Sequence, residues 1–137
     1  MEDTTSKKVY LEWSDIHELV NIICETVKND FPHIDTVFGL KRGGYIPAVM
    51  ISHQLGLEYV NEDEVHYDTL VVDDICDSGN TLEKIKKTYN KCRILTLLTK
   101  ESASVQPDIY GRTTECEWAI FPWEAYGALE KRDNTEL

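Results

Sequence analysis

The residues best suited to chemistry are concentrated in residues 71–81, which read Val-Val-Asp-Asp-Ile-Cys-Asp-Ser-Gly-Asn-Thr. Two adjacent carboxylates come first, and small polar residues follow; together they are Asp73, Asp74, Asp77, Ser78, Gly79, Asn80 and Thr81. Glycine lets the backbone approach a ligand closely, and backbone N–H groups with hydroxyls can surround a phosphate. Carboxylates accept hydrogen bonds from sugar hydroxyls and are good magnesium ligands. The segment therefore predicts a site that binds a phosphate and a sugar side by side.

Two alternative roles for this segment fit its residues less well. A capped strand-to-helix turn would leave the Asp residues solvated and use Ser78 or Asn80 as the helix cap. Such a turn would make three Asp residues, one Gly and two hydroxyls in this order a coincidence. A calcium-binding loop fits poorly, because its alternation of acidic residues before a glycine is absent.

Strand and helix patterns alternate around this segment. Strand patterns cover residues 36–40, 57–60, 69–73, 93–99 and 117–121. Helical spacing covers a first helix capped by Ser14 and ending near Asn29, a second over residues 46–55 that stops at Gly56, and a third over residues 81–89. This alternation predicts an α/β fold, with a mainly parallel sheet flanked by helices on both faces. In such sheets ligands bind beyond the carboxyl ends of the strands, where residues 73–81 are expected.

Length and charge limit the classes of function. The 137 residues fit one domain, which we expect over residues 9–129, with flexible termini at 1–8 and 130–137. A net charge of -11 opposes non-specific binding to nucleic acid or anionic lipid, so neither is an expected partner. The four cysteines form no C-x-x-C pair, and no secretory signal or membrane-length apolar stretch is evident. We therefore expect a soluble, cytoplasmic protein.

Residues 71–81 resemble the signature of the type I phosphoribosyltransferases, in which an apolar strand ends in two acids followed by a D-[ST]-G-x-T phosphate loop. Ser78 stands where Thr is commoner, and the hydroxyl is kept. The resemblance covers about residues 37–124 and is closest to the small bacterial xanthine-guanine phosphoribosyltransferases. It implies a magnesium-dependent enzyme that transfers the 5-phosphoribosyl group of phosphoribosyl pyrophosphate to a 6-oxopurine (guanine, hypoxanthine or xanthine).

The resemblance also implies a role for each matching residue. The phosphoribosyl group would contact Asp73, Asp74, Asp77, Ser78, Gly79, Asn80 and Thr81, with Asp74 as metal ligand and Asp77 as the catalytic residue near N7 of the purine. Pyrophosphate would be bound by Arg42, Gly43 and Gly44, on a loop with a cis peptide bond near Lys41-Arg42. The base would contact Lys100 at its 6-oxo group, Trp118 by stacking, and the backbone of Ala119 at its 2-position. Taken alone, Lys100 reads as a surface lysine and Trp118 as a core residue.

One departure from the family pattern concerns the lid. Between Tyr59 and Thr69 the chain has only a short, acidic segment, where active family members usually carry a much longer mobile loop. Ile120 also stands where the bacterial enzymes have a polar residue. These differences keep open a regulatory module that binds phosphoribosyl pyrophosphate or a nucleotide without turnover. An α/β domain of unrelated function ranks last. A homo-oligomer is expected.

Overall fold

The computed structural model describes residues 8–124. Residues 1–7 and 125–137 lie outside the described residues, as do most of the expected flexible termini and the expected domain end at residue 129. The helices are α1 (Trp13–Asp30), α2 (Tyr45–Leu55) and α3 (Asn80–Thr88). The strands are β1 (Lys8–Tyr10), β2 (Thr36–Gly39), β3 (Glu58–Tyr59), β4 (Thr69–Cys76), β5 (Arg93–Thr99), β6 (Ile109–Thr113) and β7 (Trp118–Ile120). Over this part of the chain, no helix is both long enough and apolar enough to cross a membrane.

Five strands form the main sheet in the order β3-β2-β4-β5-β6, and every described strand pair is parallel. The central strand is β4, in which Val71 lies between Phe38 of β2 and Ile94 of β5. Parallel pairing brings the carboxyl ends of these strands to one edge of the sheet. The predicted α/β fold is confirmed.

Helices cover both faces of this sheet, because consecutive side chains of a strand point to opposite faces. On one face Leu70 and Val72 of β4 join the core cluster that contains the buried residues of α1 and α2. On the other face Val71 packs in a second cluster with Leu82 and Ile85 of α3. The alternation therefore fixes which helix lies on which side of the site.

The first helix begins earlier than its sequence pattern predicts. Glu12 is the N-cap residue and Ser14 lies inside the helix, so the predicted Ser14 cap is wrong. The backbone N–H of Glu12 donates to the Asp15 carboxylate over 2.8 Å, and this bond supports the cap two residues before Ser14.

Three strands also differ from their patterns. The central strand β4 continues to Cys76 rather than ending at Asp73, because its ladder with β5 extends to the pair Cys76 and Thr99. The edge strand β6 was not predicted, since Gly111 and Arg112 interrupt its apolar pattern. The predicted late strand exists as β7, but it pairs with β1 outside the main sheet. Lys8, expected in the amino-terminal tail, is part of β1.

Candidate active site

The loop between β4 and α3 forms a small cradle. Gly79 has a φ of 95°, which is a left-handed conformation that glycine adopts without steric cost. The Ser78 carbonyl accepts hydrogen bonds from the backbone N–H of Ser104 at 2.9 Å and from its hydroxyl at 3.1 Å. A Cβ on Gly79 would lie 2.6 Å from the Val105 nitrogen. The 103–105 segment therefore holds the loop in place.

The cradle encloses a cavity of about 70 Å³ at the amino-terminal end of α3. Its lining includes Asp77, Ser78, Gly79 and Thr81, which the sequence associates with phosphate binding. The partial positive charge of a helix amino terminus favours an anion at this position. The arrangement suits a compact anionic group such as a phosphate.

The acid pair precedes the cradle, near the carboxyl end of β4. Both side chains are partly buried, and the Asp73 carboxylate accepts the Asp74 backbone N–H at 2.9 Å. Burial, and then the negative charge of Asp74, raise the pKa of Asp73 to about 7. Burial also raises the pKa of Asp74, and the charge of Glu124 adds to that effect. The charged form of this pair is therefore disfavoured in the free protein, and a cation or the hydroxyl donors of a sugar would stabilise it.

The glycine-rich loop after β2 lies directly against the acid pair. The Lys41-Arg42 peptide bond is cis, as the family resemblance implies. A Cβ on Gly43 would lie 2.1 Å from Asp74 Oδ2, and one on Gly44 would lie 2.1 Å from the Val72 carbonyl oxygen. Glycine is therefore required at both positions for the loop to approach the end of β4. Arg42 is exposed at the tip, where its guanidinium can reach an anion.

Lys100 forms an ion pair with Asp77, which is one of the residues that line the cradle. The distance from Lys100 Nζ to Asp77 Oδ1 is 2.8 Å. The Lys100 side chain is 16% exposed and that of Asp77 is 66% exposed. The hydrogen bond to Asp77 is the main reason that the pKa of Lys100 is raised, so the lysine keeps its charge. A donor and an acceptor are thus adjacent at the mouth of the cradle.

The remaining predicted residues lie on β7. Trp118 is 55% exposed, which differs from the core position that its strand pattern alone favours. Ala119 pairs in register with Val9. The Ile120 side chain is fully buried, and its carbonyl accepts the Leu11 backbone N–H at 2.8 Å. The apolar residue at position 120 therefore serves the core rather than a ligand.

The structure brings the cradle, the acid pair, the glycine-rich loop and Lys100 together, while Trp118 and Ala119 lie on a separate pair of strands. Sequence reasoning missed Glu124, whose charge acts on Asp74. It also missed Gln106, whose side-chain amide donates to the Lys100 carbonyl at 2.8 Å. An acid directly after Pro122-Trp123 was the available signal for Glu124; nothing in the sequence singles out Gln106.

The raised pKa of Asp73 predicts a pH dependence of stability. The folded chain holds a proton up to pH about 7, whereas the unfolded chain releases it near the ordinary value of 3.8. This contribution to the free energy of unfolding is complete below pH about 4 and is lost as the pH rises through about 7. We expect Asp73→Asn to be more stable than the wild type at pH about 8, by roughly 1–3 kcal/mol, and to lose part of the pH dependence.

Urea unfolding of the ligand-free protein at several pH values measures this effect. Asp63→Asn is the matched control, because Asp63 is an exposed carboxylate outside the acid pair. Identical pH profiles for Asp73→Asn and the wild type would show that Asp73 does not hold the proton.

A small cradle beside an acid pair, at the carboxyl edge of a parallel sheet, is the arrangement that the resemblance to type I phosphoribosyltransferases predicts. Solved structures of purine phosphoribosyltransferases share this fold. No family model matches the chain. The purine phosphoribosyltransferase of Pyrococcus horikoshii superposes with a TM-score of 0.70 at 30% identity, over 85% of this chain and 93% of that one. The chain therefore belongs to the purine phosphoribosyltransferases.

One further solved structure has the same fold, and one further relative is similar in sequence. The xanthine-guanine-hypoxanthine phosphoribosyltransferase of Helicobacter pylori superposes with a TM-score of 0.78 at 22% identity, over 91% of this chain and 99% of that one. The xanthine-guanine phosphoribosyltransferase of Cereibacter sphaeroides is 25% identical over 146 aligned residues, which cover 86% of this chain and 87% of the relative.

Proposed function

We propose that this protein transfers the 5-phosphoribosyl group of phosphoribosyl pyrophosphate to a 6-oxopurine, releasing pyrophosphate and the nucleoside monophosphate. The ion pair between Lys100 and Asp77, at 2.8 Å, is the observation that favours a 6-oxopurine as the base. N7 and O6 lie side by side on one edge of a 6-oxopurine, so adjacent donor and acceptor groups can contact both atoms. Lys100 can only donate, which suits the oxo group, while the Asp77 carboxylate can accept a proton from N7.

The phosphoribosyl part of the substrate fits the neighbouring groups. The 5-phosphate would lie in the cradle formed by Asp77, Ser78, Gly79, Asn80 and Thr81. The ribose hydroxyls would donate to Asp73 and Asp74, which precede the cradle on β4. Arg42, with the backbone of Gly43 and Gly44, would hold the pyrophosphate, because this loop lies against Asp74 of the acid pair.

The reaction then follows from these positions. N9 of the purine forms a bond with C1 of the ribose, and the C1–O bond breaks with its electron pair going to pyrophosphate. Arg42 stabilises the negative charge of the leaving group, and Asp77 takes the proton from N7. Stacking on the exposed ring of Trp118 orients the base, with the Ala119 backbone beside its 2-position.

Magnesium is part of this proposal. Asp73 and Asp74 present oxygen ligands only, which magnesium prefers. Asp74 also lies against Gly43 of the glycine-rich loop, which would hold the pyrophosphate. The raised pKa values of these carboxylates fit an exchange of bound protons for a divalent cation. When bound, the ion supplies positive charge that stabilises the leaving pyrophosphate.

Purine selectivity tests the proposed reaction. With magnesium and phosphoribosyl pyrophosphate, we expect pyrophosphate release with guanine, hypoxanthine or xanthine, and kcat/KM at least about tenfold lower with adenine, whose 6-amino group cannot accept from Lys100. The variant Lys100→Ala should reduce this difference in kcat/KM between the 6-oxopurines and adenine. The variant Trp118→Ala should weaken the binding of all these bases to a similar extent, since stacking does not depend on the 6-substituent.

Lys84→Ala is the matched control, because Lys84 is exposed on α3 and outside the proposed site. Adenine used as efficiently as guanine would remove Lys100 from base recognition. Binding of phosphoribosyl pyrophosphate without transfer to any purine would overturn the enzymatic proposal and favour a regulatory module.

The regulatory alternative is not favoured, because the named relatives are phosphoribosyltransferases and the Lys100–Asp77 pair is retained. A homo-oligomer is also part of the proposal. Exposed apolar side chains on α2 and the adjoining edge strand support it, namely Tyr45, Val49 and Tyr59. A cytoplasmic location is proposed as well, and it fits four cysteines that are all free thiols.

A further inference from the structure

The crossover segment, residues 60–68, lies on the α3 face of the sheet. It connects β3 to β4, and these strands flank β2, so the segment must pass over β2. Val65 packs against the cluster beneath α3, as do Phe38 and Leu40 at the end of β2. The segment therefore covers the face of the sheet rather than the carboxyl ends of its strands.

Hydrogen bonds anchor this crossover segment away from the cradle. The Tyr89 hydroxyl donates to Glu62 at 3.0 Å, and the Cys92 thiol donates to the His66 carbonyl at 2.9 Å. Tyr89 and Cys92 follow α3, whose nine residues separate them from the cradle by about 13 Å. Within the segment, the Asn61 backbone N–H donates to Glu64 at 2.8 Å. The segment is thus an ordered turn that is held by hydrogen bonds along its length. It contains no flexible stretch that could close over the substrate.

A wide gap separates the crossover segment from the glycine-rich loop after β2, which would hold the pyrophosphate. A cavity of about 620 Å³ is bordered by Lys41 on one side and by Asn61 and Glu62 on the other. Glu62 is the acidic residue of the segment that lines this cavity, and its negative charge would repel pyrophosphate. Approach of this segment to a pyrophosphate-loaded loop is therefore unfavourable.

The side chains that flank the acid pair in the proposed site are open to solvent, while Asp73 and Asp74 themselves are partly buried. The Asp77 side chain is 66% exposed, and Ser78, Asn80 and Arg42 are exposed as well. Within residues 8–124, no segment covers these groups. Enzymes that develop positive charge on a sugar usually exclude water from the reacting carbon, since water is a competing nucleophile.

We propose that this protein also hydrolyses phosphoribosyl pyrophosphate when no purine is bound, an inference that rests on the proposed function. The oxygen of a water molecule forms a bond with C1, and the C1–O bond to pyrophosphate breaks with its electron pair going to the leaving group. The water releases one proton to solvent. The products are ribose 5-phosphate and pyrophosphate, and no other reactant is needed.

The test incubates the full-length protein with magnesium and phosphoribosyl pyrophosphate, without a purine, in ¹⁸O-enriched water. We expect ribose 5-phosphate to form at least about tenfold faster than in protein-free solution. The pyrophosphate should contain no ¹⁸O, because the carbon–oxygen bond breaks and not a phosphorus–oxygen bond. With guanine present, more pyrophosphate than nucleoside monophosphate should form.

Variants locate the activity. Asp73→Asn combined with Asp74→Asn should abolish hydrolysis if it occurs at the acid pair, whereas Asp63→Asn, an exposed acid on the crossover segment, should leave it unchanged. Transfer to guanine with a strict one-to-one yield of pyrophosphate and nucleotide, and no hydrolysis above the protein-free rate, would overturn this inference alone. Loss of both transfer and phosphoribosyl pyrophosphate binding would overturn the proposed function with it. ¹⁸O in the pyrophosphate would assign the hydrolysis to phosphorus–oxygen cleavage and overturn the inference too.

Discussion

Asp77→Asn is expected to lower kcat for phosphoribosyl transfer by about 10²- to 10⁴-fold, the range for loss of a positioned proton acceptor. Asparagine keeps a side-chain oxygen that can accept from Lys100 Nζ, which lies 2.8 Å from the native carboxylate. It cannot take the proton from N7. The backbone of the cradle is unaltered, so binding of phosphoribosyl pyrophosphate should be largely preserved. Single-turnover kinetics and calorimetric titration separate the two effects.

Glu83→Gln is the matched control for this variant. Glu83 is an exposed carboxylate in the first turn of α3, close to Asp77 in the chain but outside the cradle lining. Its replacement removes the same charge near the same helix terminus without removing the proton acceptor. Equal turnover of Asp77→Asn and the wild type would exclude Asp77 from the chemical step.

Gly79→Ala is expected to weaken phosphoribosyl pyrophosphate binding by about 10- to 100-fold, the cost of losing a hydrogen bond from the loop to a charged phosphate. Gly79 has a positive φ, and a Cβ there would lie 2.6 Å from the backbone nitrogen of Val105. Backbone atoms cannot move aside as a flexible side chain can, so the loop itself must shift. The loop N–H groups would then no longer converge on the 5-phosphate.

Gly56→Ala provides a control for the conformational part of that effect. Gly56 also has a positive φ, at 68°, but a Cβ there would meet nothing within 4 Å. This variant should lose about 1 kcal/mol of stability from the strained backbone and keep its affinity. Urea unfolding and calorimetric titration of both variants distinguish the two costs. Unchanged affinity in Gly79→Ala would show that the cradle does not hold the phosphate.

The sequence by itself determined the class of fold and the centre of the candidate site. Alternating strand and helix patterns are local, and residues 71–81 place two acids and a phosphate loop within one strand-to-helix turn. Glycine at position 79 is also a local feature, because this strand-to-helix turn needs a positive φ at that residue. Such features depend on neighbours only a few residues away, and spacing alone reveals them.

Tertiary structure decided the contacts between distant segments. The Lys100–Asp77 pair joins two loops, Gly43 packs on Asp74 across two strands, and the exposure of Trp118 depends on a strand formed with Lys8–Tyr10. None of these pairings has a local pattern, because each depends on how the strands are ordered in the sheet. The same holds for the crossover segment: its short length is visible in the sequence, but its position along α3 follows from β3 and β4 lying on either side of β2.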